Sequence, residues 1–160
     1  MAGMIEPGDL VREFFASWAG SFDAMCAAFR ARFGPDCDWD QRPMVRTTGP
    51  EAAVRFLERT RALGGLDTIG VDLLSLAVTG NTVHTERVDH LRRADGSLIA
   101  SAPVAGVLTL RDDRIVRWRE YFDPTGLAFQ ALTSGAVAVT RSAGRGLAKL
   151  RAPVDRTNRP

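Results

Sequence analysis

Arg117-Trp118-Arg119-Glu120-Tyr121-Phe122-Asp123 is the stretch on which the fold turns. With the period-two alternation of a strand, Trp118, Glu120 and Phe122 share one face, and Arg117, Arg119 and Tyr121 share the other. The large apolar rings belong in the core, so the alternation carries Glu120 inside with them. Upstream, Val83-His84-Thr85-Glu86-Arg87-Val88-Asp89-His90-Leu91 repeats the arrangement. Val83, Arg87, Asp89 and Leu91 fall on one face, which sets an arginine and a second acid among aliphatic residues. Burying a charge is costly unless it is paired. Two acids and one arginine aimed into one core therefore point to a working site.

Turn signals on either side join these strands into a meander. Thr68 to Val78 reads as a strand, and Thr79-Gly80-Asn81-Thr82 turns into Val83 to Arg92. Ala94-Asp95-Gly96-Ser97 turns into Leu98 to Leu110, and Arg111 to Arg114 turns into Ile115 to Phe122. Ahead of them the period is helical. Asp9 is placed to cap a helix bearing Leu10, Phe14, Phe15 and Trp18. Ser21 opens a second helix with Phe22, Met25, Cys26, Phe29 and Phe33, ended by Gly34-Pro35. A short segment from Cys37 to Arg42 is a candidate strand. Gly49-Pro50-Glu51 starts a third helix, buried through Val54, Phe56 and Leu57 and stopped by Gly64-Gly65. A last helix is expected from Leu127 through Val139. Helices followed by hairpin-linked strands predict an α+β fold: a curved antiparallel sheet wrapped around N-terminal helices, cone-shaped with an internal pocket.

Composition sets the outer limits. The chain has 160 residues, 45% hydrophobic and 25% charged, which suits one domain with its own core. The expected division is a domain over residues 1–140 and a basic tail over residues 141–160. In that tail Arg141, Arg145, Lys149, Arg151, Arg156 and Arg159 face only Asp155, a net of +5. With +2 overall, the rest carries −3. The tail reads as a solvated and partly disordered terminus, not as a nucleic-acid or membrane contact. Cys26 and Cys37 have no metal-ligand spacing and form no disulfide framework. No signal pattern is seen, and no apolar run approaches the roughly 18 residues of a membrane span, so a soluble, cytoplasmic protein is expected.

Other constellations are weaker. His84, Glu86 and His90 share the face opposite Arg87, but alternate residues of a strand lie roughly 6.6 Å apart and do not converge on one ion. Gly144-Arg145-Gly146 is not at a strand-to-helix junction, and no Gly-x-Ser-x-Gly elbow exists. The sequence offers no cofactor motif. An Arg-Asp pair two residues apart also reads as a structural ion pair, and a buried glutamate as its partner. All three together, each flanked by apolar neighbours, favour a site.

Glu86-Arg87-Val88-Asp89, the stretch from Ala94-Asp95-Gly96 to Leu110, and Trp118-Arg119-Glu120-Tyr121-Phe122-Asp123 together resemble limonene-epoxide hydrolases. These belong to the nuclear transport factor-like superfamily, with ketosteroid isomerases and polyketide cyclases. The resemblance spans roughly residues 8 to 135. It implies a cofactor-independent epoxide hydrolase opening a small apolar epoxide in one step. By motif, Asp89 is the acid, Arg87 the bridge, and Glu120 stands where the family has its water-activating aspartate. Trp39 and Gln41 fall where the family holds its water with a tyrosine and an asparagine. A homodimer paired through the outer sheet face is implied as well. Two other readings stay open: an isomerase or cyclase acting on a ring ketone, and a non-catalytic small-molecule-binding protein.

Overall fold

The computed structural model describes residues 5–135. Helix α1 (Pro7–Ala16) continues into a short 3-10 turn (Ser17–Ala19), followed by α2 (Phe22–Arg32), strands β1 (Phe33–Arg42) and β2 (Arg46–Thr48), and α3 (Pro50–Gly64). The meander then runs through β3 (Thr68–Thr79), β4 (Thr82–Arg92), β5 (Leu98–Arg111) and β6 (Arg114–Phe122). A final helix, α4, occupies 124–135; the expected continuation to Val139 and the basic tail lie outside the described residues. The six strands form one sheet in the order β2-β1-β6-β5-β4-β3, antiparallel except for the parallel pair β1–β6.

Two helix boundaries differ from expectation. Asp9 is not the cap of α1. Glu6 takes that position without a side-chain bond, and Pro7, with its φ preset for a helix, starts the first turn. Asp9 lies inside that turn, where the helix dipole favours a negative charge. Helix α2 stops at Arg32, short of Gly34-Pro35. The residue before proline, Gly34, is biased to extended backbone; Phe33, Gly34 and Pro35 enter β1, with Phe33 paired to Ile115 of β6 and the ladder irregular until Asp38. Ser21 caps α2 as expected, accepting from Ala24 N at 3.1 Å.

The turns set the register of the meander. Arg111 pairs with Arg114, leaving a two-residue loop in which Asp112 and Asp113 both adopt positive φ. That backbone matches the twist of the flanking strands. The concave face of the sheet covers the helices. Phe14, Phe15, Trp18, Phe29, Phe33 and Trp118 form one buried aromatic cluster, and Trp39 stacks on Trp118 at 5.1 Å between ring centroids. Cys26 and Cys37 are buried and unlinked, and burial pushes the Cys37 thiol up to about 12. No helix among the described residues is long and apolar enough to cross a membrane.

Candidate active site

Arg87, Asp89 and Glu120 meet on the concave face. Asp89 lies two residues beyond Arg87 on β4, while Glu120 lies on β6, two strands away. Arg87 donates to Asp89 in a fork, Nε to Oδ1 at 2.8 Å and Nη2 to Oδ2 at 3.0 Å, and Nη2 also donates to Glu120 Oε1. All three are buried, and Arg87 is only 1% exposed. Its guanidinium carbon sits 4.7 Å from the centre of the Phe15 ring, with Trp18 and Trp118 alongside, so ring faces replace part of its hydration.

The other two expected residues come from β1, through the parallel pairing that places Trp39 beside Trp118 and Gln41 beside Glu120. Trp39 Nε1 donates to Glu120 Oε2 at 2.7 Å, so the indole holds the carboxylate directly. Gln41 is buried on the cavity wall, and its Nε2 has no partner among the described residues. Thus all five positions expected from the sequence assemble around one cavity of about 190 Å³. Its remaining wall is largely apolar and includes Phe29, Phe56, Leu57, Leu66, Ile69 and Phe122.

Electrostatics couples the two acids. Burial is the largest influence on both and raises both carboxyls above their ordinary range. For Glu120 the pull of Arg87 opposes this, the nearby Asp89 adds to it, and the Trp39 N–H opposes it. For Asp89, Arg87 again opposes burial through charge and hydrogen bonds. Burial works against the charge of Arg87, but the two carboxylates outweigh it and raise its pKa. Two acids sharing one cation retain a proton between them more readily than isolated ones do.

Residues outside this set settle into other work. Asp123 Oδ1 accepts from Thr125 N at 2.9 Å and so caps α4, and Asp40 pairs with Arg42 at 2.8 Å. On the outer face His90 sits between Ser101 Oγ at 2.7 Å and Asp72 Oδ2 at 3.0 Å, bonded across strands and not converging with His84 and Glu86. Among the described residues no group of His, Cys, Asp and Glu is placed to hold a metal ion. Three further residues at the site went unread in the sequence. Thr85 shares the Arg87 face, which alternation alone could have shown. Phe15 and Trp18 flank the guanidinium from the helices, and only tertiary packing places them there.

Comparison with known proteins gives the family of the chain. Residues 7–133 match the limonene-1,2-epoxide hydrolase catalytic domain. The chain belongs to the limonene-epoxide hydrolase family. It is 31% identical over 118 residues to epoxide hydrolase EphG of Mycobacterium tuberculosis, an alignment covering 74% of this chain and 72% of that protein. The fold is similar to that of an LEH-like epoxide hydrolase from M. tuberculosis, with a TM-score of 0.65 at 23% identity over 84% of this chain and 96% of the other. It is also similar to a ketosteroid isomerase-like protein from Catenulispora acidiphila, with a TM-score of 0.62 at 20% identity over 77% and 92% of the two chains. Those two likenesses speak for the cone fold. Family membership makes the chain an epoxide hydrolase.

Proposed function

We propose that this chain opens a small apolar epoxide to a vicinal diol in one step, using its own side chains and water without a cofactor. One observation carries the proposal: a single guanidinium bonded to two buried carboxyls at the wall of an otherwise apolar cavity. With one proton between the acids, Asp89 in its neutral form protonates the epoxide oxygen as the carbon–oxygen bond breaks. Glu120 as carboxylate takes a proton from the water whose oxygen forms the new bond to carbon. The bond pair of the broken C–O bond goes to the oxygen that receives the Asp89 proton. Arg87 orients both carboxyls, and Trp39 holds the far oxygen of Glu120. Gln41, beside Glu120 in register and with its Nε2 unpartnered among the described residues, supplies an amide to bind the attacking water. The apolar wall selects a hydrophobic substrate and strengthens the electrostatics by excluding bulk water.

A panel of small apolar epoxides, assayed for diol with oxygen-labelled water, tests this reading. We expect one label per diol from the parent and loss of turnover in Asp89→Asn, which keeps the side-chain size and removes the acidic proton. Diol formation by that variant within tenfold of the parent removes the acid role from Asp89.

The proposal extends to a cytoplasmic homodimer paired through the outer sheet face. There Pro103, Ala105 and Tyr121 are exposed beside half-buried Val88 and Val107, a mixed surface of the kind protein interfaces use. Sedimentation at micromolar concentration that shows only a 17.4 kDa species removes the dimer and leaves the chemistry untouched.

A further inference from the structure

Glu120 and Arg87 sit on strands separated by β5. Neighbouring strands lie roughly 4.8 Å apart, so the guanidinium has to lie across β5 to reach Glu120. The inner face of β5 is lined by Ala102, Val104, Gly106 and Leu108, and the crossing falls at Gly106. In register, Gly106 stands between Thr85 on one side and Glu120 on the other. A Cβ built on Gly106 would lie 2.9 Å from Thr85 Oγ1, 3.1 Å from Arg87 Nη1 and 3.2 Å from Trp118 Nε1. The arginine cannot turn aside, because its other nitrogens are held by Asp89 and Glu120 and its face is against Phe15. Gly106 has no positive φ, so backbone freedom is not why glycine stands here.

We propose that Gly106 is the positioning residue of this site: its missing side chain is what lets one guanidinium cross β5 and hold Asp89 and Glu120 together. The inference rests on the reading of Arg87 as the bridge, and its geometry is independent of the reaction catalysed.

Alanine ordinarily fits a strand better than glycine, because it loses less backbone freedom on folding. Gly106→Ala should therefore stabilise the fold unless the Cβ strikes something that cannot yield. Arg87 is that obstacle. Thr85 Oγ1 and Trp118 Nε1 crowd the same Cβ in every background, so only removal of Arg87 isolates the arginine's share of the clash. The first measurement is a cycle of thermal midpoints at pH 5, where the acids that Arg87→Ala leaves unpaired cost least, on the parent, Gly106→Ala, Arg87→Ala and the double variant; it needs no assay for turnover. The expected result is a lower midpoint for Gly106→Ala in the parent and a clearly smaller loss, or none, in the Arg87→Ala background. Failure of Gly106→Ala to fold while the double variant folds supports the proposal equally. Equal losses in both backgrounds, or failure of the double variant to fold where Arg87→Ala alone folds, overturn it.

The second measurement is the pH profile of kcat/KM on an epoxide the parent turns over. Shifting the guanidinium by a few tenths of an ångström weakens its bonds to the acids, and a kcat loss of about tenfold to a hundredfold is expected. Arg87 holds both carboxyls down against burial. Loosening it should move the ascending limb of the profile, where the base must ionise, to higher pH. Among the described residues, Arg87, Asp89 and Glu120 are the only ionisable side chains lining the cavity, and His90 acts on Asp89 from the outer face. An unmoved limb with kcat lost only in proportion to folded protein overturns the proposal. A parent without diol activity defeats the hydrolase reading alone and leaves the midpoint cycle to decide.

Discussion

Replacing Arg87 by leucine removes the cation that faces two buried acids. Both carboxyls already lie above their ordinary range because burial outweighs the arginine, and without it they rise further. In the unfolded chain they titrate at ~3.9 and ~4.3. A group whose folded pKa exceeds its unfolded one contributes stability that is fully present below the unfolded value. That contribution is lost as pH climbs through the folded value. Each acid that stays protonated in the fold and ionises on unfolding adds a slope of about 1.4 kcal/mol per pH unit. Two of them lower stability by about 2.7 kcal/mol per unit, or roughly 5 kcal/mol between pH 5 and pH 7. This approaches the whole stability of many domains, about 5–15 kcal/mol.

Lost ring contacts to Phe15, Trp18 and Trp118 add a penalty that does not depend on pH. Urea midpoints for Arg87→Leu at pH 5, 6, 7 and 8 separate the two contributions. They should fall steeply with pH, while the parent slopes gently in the same direction. Flat or rising midpoints in the variant would refute the reasoning, since they would mean the two acids ionise at no cost where they sit.

Glu120→Gln keeps the side-chain size but cannot accept the water's proton, so kcat should fall by roughly 10²–10⁴; parental activity in the diol assay would move the base elsewhere. Asp123 and Asp40 are poor substitutes, one capping α4 and the other paired with Arg42. Glu120→Asp retracts the carboxylate from Trp39 Nε1 by about one methylene, and a displacement of ~1 Å should cost on the order of a hundredfold. A faster enzyme would mean that the longer acid serves some other purpose. Trp39→Phe deletes the N–H that favours the ionised form of Glu120, so the ascending limb of the pH–rate profile should move to higher pH; a shift to lower pH contradicts the hydrogen bond's role.

Much of the site was legible because a strand's two-residue period is strict. Once Trp118 and Phe122 were assigned to the core, Glu120 had to accompany them, and Val83 and Leu91 carried Arg87 and Asp89 inward in the same way. The hairpins were legible for a similar reason, since turn residues such as Gly80-Asn81 act locally. What escaped was non-local. Nothing near Trp39 announces a parallel partner some eighty residues later, and the Gly34-Pro35 pair, a stop signal for a helix, lies within β1 between Phe33 and Asp38, both of which pair with β6. Gly106 escaped too, since a glycine in a strand gains meaning only when the register shows an arginine passing over it.

The parallel pairing of β1 with β6 makes Glu120 a reporter on the far end of the chain. Its carboxyl stays dry only while β1 lies beside it, with Gln41 in register and Trp39 bonded to it across 81 residues of sequence. Should β1 peel away, water reaches Glu120 and its proton affinity relaxes toward that of a free side chain. Wherever the buried carboxyl still holds a proton that the exposed one would lose, opening of this one strand releases acid, and by linkage rising pH draws the strand open. Local breathing of the sheet and the charge state of the site are thus one equilibrium seen from two sides, with amide exchange along β1 tied to the proton held two strands from its partner Asp89.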